Sequence, residues 1–541
     1  MQQANFSDLR VVAETTYGLV EGRAEGGAAV YRGIPYAAAP VGDRRWRPPQ
    51  PPEAWTGVLQ AQEFGPICPQ HDIPIAPFHL GSMSEDCLTV NVWGPLNAAA
   101  SRLPVLVWIS GGAFAAGAGS WPVYDGAKYI ERDVVLVTLN YRVGRFGFFT
   151  HPALTPGELA EPVGNYGLMD VIAALGWVQA NVAAFGGDPG NVTVAGHSAA
   201  GLMVAALMGV QAGRGLFNKV IILSATGLAS PRVSLDLDHP ERSLISPGDE
   251  AFAQSTQGDL RALAAADVLG PRPASGGLDG RNLLIDGRLL FEETLAPFCR
   301  NAQAKIPMII GTTDRDLHCW IVKDFSDPPN LLPVSYWFEF PVALQSPTVL
   351  QAELGERASE YAALVAPICG EDWTRISELL QSDILDAATR LMARRTHRAG
   401  AETYVYRFTA VPSSLRPRSH GLPHAGELSY VFDSFASLPE SVALKASADD
   451  SRLSSMVVDY FAAFARTGDP NAAGRPHWPA HESFDDVLEF AAEGPCRHET
   501  TTPERLAIAQ WVIAKRLGLQ VSDEVGDAGP GIEPKSSPEL R

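Results

Sequence analysis

Ser198 lies in the run NVTVAGHSAAGLMVAALM (191–208), where an apolar strand passes into an apolar helix with almost no loop between them. A serine at such a junction sits on a sharp turn. Its hydroxyl stands at the C-terminal edge of a sheet, over a helix N-terminus that favours developing negative charge. Gly196, Ala199, Ala200 and Gly201 are small enough to let the strand and helix backbones approach. The pattern is G-x-S-x-A, with Gly201 one place later than in the G-x-S-x-G of a nucleophile elbow. An ordinary helix N-cap serine therefore competes with a nucleophile. Upstream, WISGGAFAAGAGS (108–120) follows an apolar run. Acyl transfer through serine needs backbone N–H donors aimed at an oxyanion, and glycines let the backbone come close. A glycine-rich loop of no chemical role is the alternative. Its place after a strand and ahead of Ser198 favours the donor reading, with the N–H groups of Gly112, Ala113 and Ala199 as donors.

The elements that must position these residues read as an α/β pattern. LTVNVW (88–93), PVLVWIS (104–110), VVLVTLNYR (134–142), NVTVAG (191–196), KVIILSA (219–225) and IPMIIG (306–311) are strands. The run 134–142 has no polar face, as suits a strand covered on both sides in a largely parallel sheet. Apolar residues recur at three and four along 167–186, which predicts a helix ended by Gly186-Gly187-Asp188-Pro189. A second helix is expected at 198–210, and 350–400 looks helical. Residues 15–32 read as short strands with glycine turns, and the proline-dense run 39–57 as an extended surface segment. Strands alternating with helices argue for a mainly parallel central sheet flanked by helices. No composition break divides 1–520, which is expected to form one domain. Residues 521–541 lack apolar periodicity and are expected to be a disordered tail.

Composition narrows the partners. The 541 residues are 46% hydrophobic and 19% charged, a globular mixture. The formal net charge is −19, from 61 acidic and 42 basic residues. No basic patch or stripe speaks for nucleic acid or an anionic membrane surface. No apolar run approaches the length of a membrane span. The start MQQANFSDLR lacks a basic and then apolar leader, so a cytoplasmic protein is expected if Met1 is the native start. The six cysteines show no C-x-x-C spacing and no zinc signal. No oligomeric state can be read.

Many runs, in order, resemble the type-B carboxylesterases, relatives of the cholinesterases and bacterial p-nitrobenzyl esterases. They include YRGIPYAAAPVGDRRWRPPQPPEAWTGV (31–58), SEDCLTVNVW (84–93), NYRVGRFGFF (140–149) and FGGDPGNVTVAGHSAAG (185–201). GTTDRD (311–316), LPHAGELSYVF (422–432) and FARTGDPN (464–471) follow. The resemblance spans roughly residues 14–480 and implies an α/β-hydrolase fold with long insertions over an active-site gorge. It implies a triad in the order serine, acid, histidine. His424, in H-A-G-E with Glu427 three residues on, matches the histidine, with His420 as competitor. Asp316 matches the acid, where the family normally carries glutamate, with Asp314 as rival. The resemblance also implies a Cys68–Cys87 disulfide, an Arg45–Glu85 brace at the gorge rim, and support of the elbow by Asn165 and Asp170.

The departures carry expectations of their own. Ala113 replaces the third glycine of the usual loop. If that position needs a left-handed φ, alanine costs about 1–2 kcal/mol there, and its methyl narrows the space for bulky alcohol groups. Ala200 replaces the second elbow glycine. His197 replaces the family's glutamate. Adjacent side chains on a sharp turn diverge, which argues against His197 as the base. The segment 69–86 holds Phe78 as its one aromatic and no tryptophan, so quaternary ammonium substrates are not expected. Arg145 either meets an acidic group on the substrate or forms a loop salt bridge. The expected activity is hydrolysis of a small-molecule carboxylic ester through an acyl-enzyme, with no metal or cofactor. The alternatives are the same machinery on a carbamate, aryl amide or lactone, and a non-catalytic cholinesterase-like binding protein.

Overall fold

The apolar β-branched runs of the chain become the strands of one 13-stranded sheet in the computed structural model. The structure describes residues 10–72, 81–151, 154, 162–225, 233–234, 249, 252–254, 259–272, 282–322, 331–335, 347–416, 419, 421–437, 446–483, 486–498, 503–518, 520–521 and 532–533. In chain order the strands are β1 (Arg10–Thr15), β2 (Gly18–Glu25), β3 (Ala28–Pro35), β4 (Val58–Gln60), β5 (Thr89–Pro95), β6 (Leu103–Ile109) and β7 (Val135–Leu139). They continue as β8 (Gly187–His197), β9 (Lys219–Leu223), β10 (Met308–Thr313), β11 (Thr403–Phe408), β12 (Val487–Ala491) and β13 (Gly494–Arg497). Their spatial order is β1-β2-β3-β5-β7-β6-β8-β9-β10-β11-β12-β13, with β4 on β2. Every pairing from β7 across to β12 is parallel. The N-terminal pairs β1–β2, β2–β3, β3–β5 and β5–β7 and the last pair β12–β13 are antiparallel, while β4 lies parallel to β2.

β6, β7 and β9 are buried almost end to end, which is why they read as unbroken apolar runs. Alternate residues feed two cores. Val105, Val107, Val194 and Ile222 pack with α1 (Tyr166–Asn181), α2 (Ala199–Gly209), α3 (Trp373–Arg398) and α5 (Pro503–Arg516). Leu106, Trp108, Ala195 and Ile221 pack on the opposite face with α4 (Ala448–Thr467).

The stretch 167–186 differs in detail from its sequence reading. The helix runs Tyr166–Asn181, tightens to a 3-10 turn over Val182–Phe185, and stops at Gly186 with φ 83°. Gly187 already belongs to β8 and pairs with Leu103. Among the described residues, Tyr166–Phe185 is also long and apolar enough to cross a membrane by length and composition, which the sequence reading did not anticipate. Of its 18-residue apolar window 61% is buried within the protein, as a helix between a sheet and neighbouring segments must be. The helical expectation for 350–400 is met by Pro347–Leu354, Ala358–Cys369 and α3. Of the C-terminal tail, Gln520–Val521 pairs with Ile532–Glu533, and most of 521–541 lies outside the described residues.

Within the parallel part of the sheet, chain order and spatial order part company at one place. β6 is followed by β7 on one side, and β7 by β8 on the other. The carboxyl ends of β6 and β8 therefore lead away in opposite directions, leaving the crevice where open α/β sheets place their ligands. The glycine loop leaves β6 there, and Ser198 leaves β8.

Candidate active site

Ser198 stands between β8 and α2 with φ 59° and ψ −125°. That backbone costs a non-glycine residue about 1–3 kcal/mol and persists only where its surroundings impose it. Here they do. His197 pairs with Leu223 of β9, and Ser198 N donates to Leu223 O at 2.9 Å. Ser198 occupies the helix N-cap position, yet its side chain makes no capping bond. Its Oγ lies 2.8 Å from His424 Nε2 instead, which decides against the simple cap. A Cβ on Gly196 would stand 2.7 Å from the backbone carbon of Ala200. One on Gly201 would stand 3.0 Å from Leu223 O. Gly201 thus supplies the close helix–strand contact, and Ala200 is accommodated fully buried.

His424 Nδ1 lies 2.7 Å from Asp316 Oδ1. The second oxygen of Asp316 accepts from Thr313 N at 2.9 Å, which fixes the carboxylate at the end of β10. Ser198, His424 and Asp316 are all buried. The rival Asp314 serves another end. Its Oδ1 accepts from Leu422 N at 2.7 Å and so anchors the segment that carries His424. Burial pushes the Asp314 carboxyl up to about 6, against the Leu422 N–H. His420 lies outside the described residues.

The glycine loop lies against the elbow. A Cβ on Gly111 would stand 2.5 Å from His197 O and 3.1 Å from Ser198 Cβ. Gly112 has φ 137°, and a Cβ there would meet Ala116 O at 2.3 Å. Ala113 has φ 54°, so the left-handed condition on this substituted position is met. The Gly112 carbonyl turns back to accept from Ala115 N and Ala116 N, each at 3.0 Å. Among the described residues, no group accepts from the N–H of Gly112, Ala113 or Ala199. Buried side chains that the sequence did not single out hold the loop. Gln70 accepts from Gly117 N at 2.8 Å and donates to Gly117 O at 3.1 Å. Asn140 accepts from Gly119 N at 2.9 Å, and Thr138 donates to Gly119 O at 2.8 Å. Their partners are distant in sequence, so neither spacing nor periodicity marks them.

A parallel sheet whose switch point joins a serine elbow, a glycine loop and a Ser–His–Asp chain invites comparison with known enzymes. The profile described as "Carboxylesterase family" matches residues 10–507. The chain belongs to the carboxylesterase family. It is 33% identical over 513 residues to fumonisin B1 esterase of Sphingopyxis macrogoltabida, covering 91% of this chain and 88% of that protein. It is 32% identical over 508 residues to para-nitrobenzyl esterase of Bacillus subtilis (strain 168), covering 91% and 97%. Among solved structures it is similar to a PNB esterase with TM-score 0.74 and 31% identity, covering 94% of this chain and 99% of that one. A carboxylesterase of Geobacillus stearothermophilus matches with TM-score 0.73 and 30% identity, covering 93% and 100%. The α/β-hydrolase architecture is common to them.

Within this carboxylesterase the remaining sequence expectations divide. Arg45 and Glu85 form the implied brace, with two charge-assisted bonds at 2.7 and 2.5 Å. Arg45 also donates to the carbonyls of Arg261 and Leu263 at 3.0 and 2.8 Å. Asp170 takes two bonds from the buried Arg142 guanidinium, at 2.8 and 2.7 Å, and a third from Arg142 N at 3.0 Å. Asn165 exchanges two bonds of 2.9 Å with the Leu284 backbone. The Cys68–Cys87 disulfide is not formed, and both residues are buried free thiols. Their sulfurs are satisfied by hydrogen bonding instead. A bond with Cys68, then burial, raises the Cys87 thiol well above its usual range, and Cys68 Sγ accepts from Val143 N at 3.4 Å. Arg145 pairs with Asp249 at 3.1 Å and lies over the Phe252 ring, so the loop salt bridge is the reading that holds. Phe78 lies outside the described residues.

Proposed function

We propose that the protein hydrolyses uncharged or weakly charged carboxylic esters of modest alcohol size, through an acyl-enzyme on Ser198. One observation carries this reading. His424 touches Ser198 Oγ with one ring nitrogen and Asp316 with the other, at 2.8 and 2.7 Å. In this arrangement Ser198 Oγ attacks the ester carbonyl while His424 Nε2 takes its proton. Asp316 keeps Nδ1 protonated, orients the ring and stabilises the imidazolium. The N–H groups of Gly112, Ala113 and Ala199 donate to the oxyanion, and the carbonyl C–O bond to the alcohol then breaks. His424 returns its proton to the departing alkoxide oxygen. Water repeats the sequence in reverse, with His424 as its base, and frees the acid.

Cleavage of a carbamate, aryl amide or lactone is not favoured, since the named relatives along the whole chain are esterases. A non-catalytic binding role is disfavoured by the intact serine–histidine contact. The test is turnover of short p-nitrophenyl esters. Ser198→Ala is expected to lower kcat by about 10,000-fold or more, and Asp316→Asn by about 10,000-fold through the wrong tautomer. Equal rates for the wild type and Ser198→Ala would sink the assignment. Loss of turnover in Asp314→Asn but not in Asp316→Asn would move the acid.

A further inference from the structure

Two buried titratable side chains that the reaction above does not use stand against His424. The rings of His197 and His424 pack with centroids 4.5 Å apart and 37° between their planes. His197 Nε2 lies 3.5 Å from Glu427 Oε1. Glu427 Oε1 accepts from Ser224 Oγ at 2.7 Å. His197 Nε2 and Glu427 Oε2 are both buried, and among the described residues neither has a hydrogen-bond partner. Buried polar atoms are seldom left unpaired, because the desolvation cost is not returned. An imidazole nitrogen and a carboxyl can satisfy each other only with a proton between them.

We propose that Glu427 and His197 share one proton, resting on Glu427, and so present His424 with a neutral pair in place of a second carboxylate. This rests on the reading of His424 as the base. With the proton on Oε1, which still accepts from Ser224, the Glu427 O–H faces the unprotonated Nε2 of His197 across the 3.5 Å contact, which closes to a hydrogen bond when that proton lies between them. Transfer across that bond moves one proton and no electrons, and leaves the net charge of the pair at zero. Burial acts in the same direction on both partners. With the Asp316 charge it pushes the Glu427 carboxyl up to about 7, against His424 and Ser224. Burial, with His424 beside it, holds His197 well below the usual histidine range. The other groups facing Glu427 are Asp316 and His424, the Ser224 hydroxyl at the end of β9, and the phenols of Tyr124 and Tyr406. Burial keeps both phenols protonated, so the charge that opposes ionisation of Glu427 is that of Asp316.

The consequence is a tuned base. A carboxylate at Glu427, added to that of Asp316, would stabilise the His424 imidazolium and keep the base protonated to higher pH. The neutral pair leaves that setting to Asp316. Glu427 and His197 are in this sense positioning residues.

The experiment follows the acidic limb of kcat/KM for p-nitrophenyl acetate, which reports the base of the free enzyme. His197→Glu places a second carboxyl beside Glu427. Two carboxyls sharing one proton carry a net charge of −1, and the limb should rise by about one pH unit. Glu427→Gln keeps shape and neutrality, and the limb should move by less than about 0.3 unit. A fall of about one unit in Glu427→Gln would overturn the proposal, because the native group would then be a carboxylate. An unmoved limb in a folded His197→Glu would overturn it too. A second readout needs no substrate and does not depend on His197→Glu folding. At pH 6 the infrared difference between wild type and Glu427→Gln should contain the carbonyl band of a protonated, buried carboxyl. Its absence overturns the shared proton whatever bond the enzyme cleaves. Its presence in a protein that hydrolyses no ester would instead count against the function alone.

Discussion

At the scale of single residues, the site combines imposed backbone strain with short polar contacts. Ala113 carries a left-handed φ of 54° where glycine would be unstrained. Ala113→Gly should relieve about 1–2 kcal/mol of strain, partly offset by the greater freedom of the unfolded glycine chain. A net gain of about 0.5 kcal/mol in urea unfolding is expected. Removal of the methyl should also raise kcat/KM for a tert-butyl ester relative to its ethyl ester by about tenfold, as a gain of one or two methyl-sized contacts allows. An unchanged ratio would show that Ala113 does not bound the alcohol side. Much of this level was legible in the sequence. Ser198, Gly112, Ala113 and Ala199 announced themselves because a tight junction admits few residue types. Asp316 and His424 followed from the resemblance, five and three residues from recognisable neighbours. Gln70, Thr313 and Ser224 were not legible, because each acquires its role from a partner brought by the fold. His197 was half legible. Its Nε2 has no hydrogen-bond partner among the described residues, and nothing in the sequence places its ring against His424.

At the scale of elements, the elbow is a contact between two backbones. The β8–β9 register sets His197 opposite Leu223, and glycine at 196 and 201 lets α2 lie against the strand ends. Gly196→Ala forces a Cβ to within 2.7 Å of the Ala200 backbone. Overpacking of that kind costs about 1–3 kcal/mol. Because the displaced atoms belong to the helix that begins at Ala199, kcat should fall far more than KM changes. A thermal melt beside steady-state kinetics separates the two effects, and a variant with native kcat would contradict the packing argument. The type of each element was legible from its apolar pattern, and its ends were less so. NVTVAG reads as a strand of 191–196, whereas β8 begins at Gly187. The signal Gly186-Gly187-Asp188-Pro189 does stop the helix, but the stop is made by Gly186 alone, and the next residue pairs with β6. A strand entered directly from a helix cap leaves no polar linker to read.

At the scale of the whole molecule, the crevice exists because β7 and β8 leave β6 on opposite sides. The parallel character of the sheet was legible from alternating strands and helices. The order of the strands was not, since pairing is decided by which apolar faces meet. Beneath the crevice Asp170 neutralises Arg142, both fully buried or nearly so, and the Tyr166 ring lies 5.3 Å from the guanidinium. Asp170→Asn leaves that cation unmatched and should cost about 3–5 kcal/mol in unfolding free energy. The double change Asp170→Leu with Arg142→Met should cost clearly less than the single one, and equal losses would refute an electrostatic cause. The serine turn has a practical corollary. Its backbone is held by Leu223 O from a neighbouring strand, so the reactive hydroxyl is assembled only in chains whose sheet has closed in register. A fluorophosphonate that labels Ser198 thereby becomes a census of correctly folded molecules. Labelled fraction plotted against denaturant should trace the unfolding of the β8–β9 pair, molecule by molecule.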